Sequence, residues 1–355
     1  MKIVVYGLTV TSSWGNGHAT TYRSLLKALA RHGHHIIFVE KDVEWYRNNR
    51  DLPCPEFCRV ELYDDWASEE TRLINLSVDA DAVVVGSYFP DAIAASIALF
   101  ARVKSPVLFY DIDTPITLGK LRESGGTEYL EGALIPCYSA YLSFTSGPAL
   151  LELENRFGAR RAVAFFCSVD PEIYYPTADK AEFRCALSYL GTYAADRQAK
   201  LTELLDGAAG VLSAERFVVA GPQYPASIKW KSNVERMIHV PPSDHPAFYS
   251  SSRFTLNLTR DDMVAAGYSP SVRLFEASAC GAAILSDAWP GLEEFLTPGE
   301  EVLLPSSGAE VAWMLSEILD EERVRMGARA RERILATHTS EHRAIEFETI
   351  VTECG

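Results

Sequence analysis

The chain has 355 residues, of which 48% are hydrophobic and 23% are charged, and its formal net charge at pH 7 is −15. This composition excludes a mostly disordered or fibrous protein, and the length predicts two domains that each bury a large hydrophobic core. The acidic charge repels phosphate polymers, so we expect no nucleic acid partner.

The start of the chain and its cysteine content indicate a cytoplasmic protein. The apolar segment 2–6 ends at Gly7 and polar residues follow, so it is too short for a signal peptide and predicts a first strand. Seven cysteines, an odd number, are atypical of a secreted disulfide framework. No segment approaches the roughly eighteen uninterrupted apolar residues of a membrane-spanning helix, so we expect no integral membrane segment.

Short apolar segments alternate with segments of helical periodicity, which is typical of α/β proteins with parallel sheets. The strands predicted in the first half are 2–6, 35–40, 59–63, 82–86, 107–111, 140–144 and 162–166. The clearest helix is 20–31, because its apolar residues fall on one face and Gly33 follows as a stop.

A break in this pattern at 167–176, which contains Pro171 and Pro176, predicts a hinge. The strands predicted after it are 187–191, 216–220, 237–240, 254–258 and 283–286, and long helices with a solvated face follow them. We therefore predict two Rossmann-like domains, at 1–168 and 169–330. The remaining residues, 331–355, are predicted to form a C-terminal helix that packs back on the first domain.

The segment 14–18, Trp-Gly-Asn-Gly-His, lies between the first strand and the first helix, where doubly wound folds bind ligands. Gly15 and Gly17 allow close approach of a ligand to the backbone, and the helix start favours a negative or hydrogen-bonding group. The glycine spacing differs from the GxGxxG motif of NAD-binding proteins. Glu40, at the end of the second predicted strand, is too common a feature to indicate NAD binding without that motif, so NAD binding is not predicted. His18 is a candidate general base or sugar-hydroxyl contact; the alternative is a hydrogen-bonding role at the helix start.

Two carboxylates, Asp111 and Asp113, follow another buried strand, and Thr114-Pro115 turns the chain there. Asp113 is the second candidate at this sheet edge. A metal site is not favoured, because two carboxylates without further oxygen ligands bind a cation weakly. The alternative is an Asx-type turn or a helix cap at Thr114.

Arg197 follows the first strand of the second half, and its guanidinium suits a diphosphate because it offers a rigid fork of donors. The alternative for Arg197 is an ion pair on the helix surface. The segment 267–281 has Ser269 or Ser271 as a natural N-cap, and Ser271 with the adjacent amides suits phosphate oxygens. Glu276 is charged on a largely apolar helix and needs a partner: either a ribose diol or a salt bridge with Arg273 or another basic residue.

These segments, with the Leu-Gly-Thr-Tyr sequence at 190–193 and the Arg-Leu-Phe-Glu sequence at 273–276, resemble glycosyltransferases of the two-Rossmann GT-B architecture. The resemblance is to the CgeB-like, or spore maturation protein-like, branch, which is related to family 4 and family 1 glycosyltransferases. It implies an acceptor domain at 1–168 and a nucleotide-sugar donor domain at 169–330, which face each other across a cleft.

In similar retaining enzymes a Glu at the position of Glu276 holds the nucleotide ribose, and an Arg/Lys pair binds the diphosphate. Arg197 corresponds approximately to the Lys, whereas Thr192 replaces the Arg. Tyr268 replaces the Glu that precedes Glu276 by eight residues in those enzymes, so the usual sugar contact is missing. The polar residues of the preceding loop are candidate substitutes: Asn257, Arg260 and Asp261.

In similar inverting enzymes a His near the first helix activates the acceptor hydroxyl, so His18 leaves the stereochemistry open. Donor-binding roles are predicted for Gly15, Gly17, Arg197, Asn257, Arg260, Ser271, Arg273 and Glu276, and catalytic roles for His18 and Asp113. No metal and no other cofactor are implied; the nucleotide-diphosphate sugar is a co-substrate.

The predicted activity is transfer of a sugar from this donor to a hydroxyl of a small molecule, saccharide or protein. The alternatives are a nucleotide-sugar epimerase of the same fold and a non-catalytic nucleotide-sugar-binding or coat-assembly protein. Two further groups, a cysteine pair and three histidines, are not assigned to the predicted active site. Cys54 and Cys58 have no matching second pair for zinc, and His32, His34 and His35 suit the carbonyls of a helix end.

Overall fold

A computed structural model describes residues 1–15 and 17–355. Asn16, which belongs to the glycine-rich segment before the first helix, lies outside the described residues. The chain divides into two compact units, the first formed by 1–168 and 340–355 and the second by 169–339. The segment 331–355, predicted as one C-terminal helix, is therefore divided between the two units.

The first unit is built on a sheet whose described strands are all parallel, in the order β3-β2-β1-β4-β5-β6-β7. These strands are β1 (Lys2–Tyr6), β2 (His35–Lys41), β3 (Arg59–Tyr63), β4 (Ala82–Gly86), β5 (Val107–Asp111), β6 (Ala140–Ser143) and β7 (Ala162–Ala164). The central strands are apolar along their whole length because helices cover both faces of a parallel sheet. In β4, for example, every residue is buried.

The helices of this part of the chain follow the strands in alternation. They are α1 (His18–Arg31), α2 (Glu44–Arg47), α3 (Trp66–Asn75), α4 (Ala92–Arg102), α5 (Thr114–Ser124) and α6 (Pro148–Asn155), with a 3-10 helix at Gly132–Cys137. Helix α1 buries Tyr22, Leu25 and Leu29 on one face, as its periodicity predicts. It ends at Arg31, and Gly33 follows the C-cap His32 with a φ of +83°, the left-handed conformation that glycine tolerates.

The second unit repeats this construction, with the strand order β10-β9-β8-β11-β12-β13 and parallel pairing throughout the described strands. The strands are β8 (Cys185–Leu190), β9 (Phe217–Ala220), β10 (Val234–Met237), β11 (Ser252–Asn257), β12 (Ile284–Ser286) and β13 (Val302–Leu303). The two-residue β13 is not predicted because it is too short to show a pattern.

The α-helices of the second unit lie between these strands and after them. They are α7 (Ala195–Leu201), α8 (Gly207–Val211), α9 (His245–Ser251), α10 (Asp261–Ala266), α11 (Val272–Ala279), α12 (Gly308–Glu317) and α13 (Asp320–Thr337). A π-helical segment, Thr202–Asp206, joins α7 to α8, and 3-10 helices occupy Pro242–Asp244 and Leu292–Glu294. The last helix, α14 (Ser340–Cys354), belongs to the first unit.

The predicted fold class, α/β with two Rossmann-like domains, is confirmed. Most predicted strands lie within two residues of their observed bounds, and the one predicted at 237–240 lies three residues earlier, at Val234–Met237. In the part of the chain that the structure describes, no helix combines the length and the apolar character required to cross a membrane.

Candidate functional site

Each unit has a point where the strand order reverses, and ligands bind beyond the strand ends at such points in doubly wound folds. In the first unit this point lies between β1 and β4. His18, the first residue of α1, follows β1, and Asp113, which precedes α5, follows β5. The structure brings these two candidates together, with His18 Nε2 3.9 Å from Asp113 Oδ2.

A third side chain, Tyr88, completes this cluster and is not predicted from the sequence. It follows β4 with a φ of +63°, unusual for a residue other than glycine. Its ring meets the edge of the His18 ring at 5.2 Å between centroids, and its hydroxyl is hydrogen-bonded to Asp113. His18 Nδ1 is buried and has no hydrogen-bond partner among the described residues. The cluster therefore joins an imidazole, a carboxylate and a phenol.

Asp111 is fully buried, and its carboxylate holds the backbone of Asp113 in place. Its carboxylate accepts hydrogen bonds from the Tyr141 hydroxyl at 2.5 Å, the Thr117 hydroxyl at 3.0 Å and the Asp113 amide at 3.2 Å. Burial raises the pKa of Asp111 to about 6, although the bonds from Tyr141 and Thr117 act in the opposite direction. Asp111 thus forms the Asx-type turn, and the Asp113 side chain makes no cap hydrogen bond to α5.

The glycine-rich segment before α1 contributes less than its composition suggests. Gly15 has a φ of +70°, which favours glycine, but Gly17 has an ordinary φ of −87° as the N-cap of α1. A Cβ added at Gly17 would meet no atom within 4 Å, so close packing in the chain does not require this glycine. Glu40 has a structural role, because its buried carboxylate accepts hydrogen bonds from the amides of Val10 and Thr11.

In the second unit the strand order reverses between β8 and β11, and three predicted donor-binding residues meet there. Asn257, the last residue of β11, accepts hydrogen bonds at Oδ1 from the Ser271 hydroxyl at 2.6 Å and from Arg273 Nη1 at 3.1 Å. The side-chain nitrogen of Asn257, Nδ2, in turn donates to the Ser286 hydroxyl at 2.9 Å. This network fixes the start of α11 against the ends of two strands.

Arg273 reaches from α11 to the end of β8. Its Nε donates to the Leu190 carbonyl, and its guanidinium carbon lies 4.9 Å from the centroid of the Tyr189 ring. A Cβ added at Gly191 would lie 2.7 Å from Arg273 Nη2, so glycine is needed for this approach. In the described structure Arg273 donates hydrogen bonds to Leu190 and Asn257, and its charge acts on the Glu276 carboxyl group without a hydrogen bond between the two side chains.

Glu276 lies on the buried face of α11 and is only 6% exposed. The Tyr249 hydroxyl donates to its Oε2 at 3.3 Å, and the Tyr174 hydroxyl is also hydrogen-bonded to this carboxyl group. Burial raises the pKa of Glu276 to about 7; the Tyr174 hydroxyl, the charge of Arg273 and the Tyr249 hydroxyl partly oppose this effect. The carboxyl group therefore changes its charge near neutral pH.

The Nδ1 atom of His245 lies 3.9 Å from Glu276 Oε2, which is close enough for an ion pair if the ring is protonated. Burial lowers the pKa of His245 to about 4, so the ring is neutral at pH 7 and the contact is not a salt bridge. Two contacts orient the His245 ring. Its Nε2 donates to the Val240 carbonyl at 3.1 Å, and its Nδ1 lies 3.4 Å from the Tyr174 hydroxyl. The hydrogen-bond partners of Glu276 are therefore neutral, and Arg273 is a charged group that acts on its carboxyl group.

Arg197 and Arg260, the other predicted cationic residues, lie near the start of α7. Arg197 Nη2 donates to the Thr192 carbonyl at 2.8 Å, while its Nε is buried without a hydrogen-bond partner among the described residues. The predicted alternative, a surface ion pair, occurs instead at Arg260, whose Nε lies 3.4 Å from Asp196 Oδ2. Asp261, predicted with Arg260 as a sugar contact, lies 3.5 Å from Lys200 Nζ.

Sequence reasoning missed several side chains at these two sites: Tyr88, Tyr174, Tyr249, His245 and Lys200. Lys200 Nζ lies 3.0 Å from Asp287 Oδ2 at the edge of the same sheet. None of the five stands in a motif, and only His245 and Tyr249 share an element, helix α9. Only the rule that loops after parallel strands share one edge could have drawn attention to Tyr88.

Comparison with known proteins supports a glycosyltransferase enzyme. Residues 197–349 match a family model described as glycosyl transferase-like, whereas no curated protein matches the chain in sequence. Sucrose-phosphate synthase from Thermosynechococcus elongatus is a similar solved structure, with 14% identity, a TM-score of 0.70 and coverage of 99% of this chain and 98% of that chain.

Two further similar structures carry a sugar nucleotide. HepE of Anabaena, in complex with UDP-glucose, has 12% identity and a TM-score of 0.73, with 99% of this chain and 100% of that chain covered. An alpha-glucosyltransferase in complex with UDP-glucose and DNA containing an abasic site has 14% identity and a TM-score of 0.69, with 99% and 98% covered. At such identities the likeness establishes the GT-B fold.

Proposed function

We propose that this chain transfers a sugar from a nucleoside diphosphate sugar to an acceptor hydroxyl, and that it does so as a member of the CgeB-like branch. The observation that carries the proposal is the cluster of Ser271, Arg273 and Glu276 around the reversal point of the second sheet. It places a hydroxyl donor at the N-cap of one short helix, α11, and a guanidinium group and a buried carboxyl group on that helix.

The second unit is proposed to bind the donor. Glu276 accepts hydrogen bonds from both ribose hydroxyls, and ionised Glu276 offers enough lone pairs to accept them while Tyr249 stays bonded. Arg273, Ser271 and the amides at the start of α11 bind the diphosphate, which matches the positive end of the helix. Arg197 has a buried Nε without a partner in the described chain, and a phosphate oxygen would satisfy it.

UDP is the nucleotide proposed first, because HepE and the alpha-glucosyltransferase are solved with UDP-glucose. Asn257 and Arg260 are proposed to contact the donor sugar in place of the Glu that Tyr268 replaces. The scheme routes no step through a metal ion: departing diphosphate charge is neutralised by Arg197, Arg273 and backbone amides.

The first unit is proposed to bind the acceptor, with His18 and Asp113 beside its hydroxyl. In an inverting reaction this pair takes the hydroxyl proton while the acceptor oxygen bonds to the anomeric carbon. The bond from that carbon to the diphosphate breaks, and the nucleoside diphosphate leaves with its electron pair. In a retaining reaction the same two side chains orient sugar hydroxyls. The net charge of −15 disfavours a nucleic acid acceptor.

A donor panel tests this proposal. The full chain is incubated with UDP-, GDP- and TDP-sugars, alone and with small-molecule, saccharide and protein acceptors, and free nucleotide, epimerised donor and glycosylated product are measured. We expect nucleotide release coupled to product, and no release in a His18→Ala, Asp113→Asn double variant. Conversion of the donor without an acceptor would establish an epimerase instead, and nucleotide binding without turnover would establish a binding protein.

A further inference from the structure

Two histidines stand at the end of α1, the opposite end from His18. Helix α1 closes with hydrogen bonds from the Gly33 amide to the Ala30 carbonyl, at 2.9 Å, and from the His34 amide to the Leu29 carbonyl, at 3.2 Å. This arrangement is a Schellman turn, which fixes the backbone around His32 and His34. The two imidazole rings lie 6.3 Å apart between centroids.

Helix α14, which belongs to the same unit, presents two glutamates to these rings. Glu341 and Glu348 are about two helical turns apart and so lie on one face of α14. Glu348 Oε1 lies 2.7 Å from His32 Nδ1 and 2.6 Å from His34 Nε2, between the two rings. Glu341 Oε1 lies 2.5 Å from the other nitrogen of His32, Nε2. The imidazoles therefore converge on one carboxylate, and a second carboxylate supports His32 from outside.

We propose that His32, His34 and Glu348 bind one divalent transition-metal ion of the zinc class. One ligand atom from each residue lies within 4.8 Å of the others. In a tetrahedral zinc site, with bonds of about 2.0–2.2 Å, neighbouring ligand atoms are about 3.3 Å apart. Glu348 therefore needs to withdraw by less than about 1 Å to admit the ion, which its partly exposed side chain permits.

The outer contacts of the two rings also suit a metal site. Histidines that bind a metal usually have their other ring nitrogen hydrogen-bonded, often to a carboxylate. Here Glu341 accepts a hydrogen bond from His32 Nε2. The Met1 amine lies 3.0 Å from His34 Nδ1, and its neutral form accepts a hydrogen bond from Nδ1 when Nε2 binds the ion. Two imidazoles and one carboxylate favour zinc, nickel or copper over magnesium and calcium, which prefer oxygen ligands. Three protein ligands leave a fourth position for water.

The ion would link the end of α1 to α14 across more than three hundred residues of sequence. Its proposed role is to hold the C-terminal helix on the first unit. Without the ion, hydrogen bonds to Glu341 and Glu348 raise the pKa of His32, so a proton competes for the same ring. Binding is therefore best measured at about pH 8, well above the ordinary pKa of histidine.

The test is a Zn²⁺ titration of the untagged full chain against a chromophoric chelator. A Cys54→Ser, Cys137→Ser background removes the exposed thiols, which also bind zinc. We expect one ion per chain, and at least about tenfold weaker binding in His34→Asn, because one ligand is lost. His35→Asn is the matched control: His35 is the exposed neighbour of His34 and is expected to leave the affinity unchanged.

Thermal unfolding gives a second measurement that does not depend on activity. Zn²⁺ should raise the melting temperature of the parent protein in a concentration-dependent way, Mg²⁺ should not, and Glu348→Gln should abolish the zinc effect. Circular dichroism verifies that each variant is folded. Equal zinc affinity in the parent and in the folded His34→Asn or Glu348→Gln protein, or the absence of stoichiometric binding, would overturn the proposal and leave a hydrogen-bonded clamp only.

Discussion

The two units share a strand order around their reversal points but differ in the chemistry that stands there. The first unit gathers His18, Tyr88 and Asp113, groups that accept, hold or orient a proton. The second gathers Arg273 and Arg197 and keeps its carboxyl group, Glu276, buried among neutral partners. The same scaffold thus carries an imidazole, a phenol and a carboxylate in one copy and guanidinium groups in the other.

This contrast shows how function is distributed over a repeated fold. Strand order fixes where the loops meet, whereas the side chains on those loops decide what is bound. A diphosphate is expected on the second unit, because guanidinium groups and helix amides complement its charge. A neutral hydroxyl is expected beside the imidazole and carboxylate of the first.

The largest effect is expected from the first unit, on turnover alone. His18→Ala and Asp113→Asn should each lower the rate of transfer by about 10²–10⁴-fold, the usual contribution of a positioned acid or base. Neither should change nucleotide affinity by more than about twofold, since both residues lie in the other unit. Initial rates and calorimetric titration with UDP measure the two quantities. Loss of UDP binding in either variant would contradict the assignment of the acceptor to the first unit and of the donor to the second.

A second effect is expected from the second unit, on binding. Arg273→Gln removes a charged donor group and should weaken UDP binding by about 10–100-fold, the range for a hydrogen bond to a charged partner. Arg325→Gln is the matched control, because Arg325 is exposed on α13 and paired with Glu322. Calorimetry measures both. Equal affinities in the two variants would remove Arg273 from the proposed diphosphate site.

The pH dependence of stability tests whether Glu276 is as buried as the structure places it. Its pKa is raised to about 7 in the folded chain, so folding is favoured by the protonated form. Below about pH 4 both the folded and unfolded forms are protonated and no penalty exists. The penalty develops as pH rises from about 4.5 to 7 and levels off above pH 7 at about 3 kcal/mol. Glu276→Gln should lack this loss of unfolding free energy in urea titrations at pH 5 and pH 8. The same pH dependence in parent and variant would count against burial of the carboxyl group.

A smaller effect is expected in the pH dependence of donor binding. If ionised Glu276 accepts the ribose hydroxyls, affinity for UDP-glucose should fall as pH decreases below about 7, by at most about tenfold per pH unit. UDP-glucose is the suitable probe because its diphosphate diester does not titrate in this range. Affinity in Glu276→Gln should be weak and flat between pH 5 and pH 8. A parent affinity that is also flat would separate Glu276 from the ribose.

The sequence predicts more of the fold than of the sites. Strands and helix faces follow from local periodicity, so α1 and most of the strands can be predicted from the order of apolar and polar residues alone. The sequence also predicts part of the second site, because Asn257, Ser271 and Arg273 stand at or near strand and helix ends. The partners of Glu276 are not predicted: Tyr174 and Tyr249 come from separate segments, and only tertiary packing brings their hydroxyls to one carboxyl group.

The histidines after α1 show the same limit. Sequence pattern assigns His32 and His34 to the helix end, which the Schellman turn bears out for the backbone. Their side chains are instead directed at Glu341 and Glu348, more than three hundred residues away. Contacts of that separation leave no periodic signal in a single sequence.

The most direct measurement is calorimetric binding of UDP and 2′-deoxy-UDP to the parent protein and to Glu276→Gln. The account predicts that the parent prefers UDP by about 5–100-fold, the cost of leaving a buried polar group without its partner, and that Glu276→Gln loses most of this preference. Equal binding of both nucleotides by the parent, or an undiminished preference in Glu276→Gln, would contradict the proposal that this carboxyl group holds the ribose.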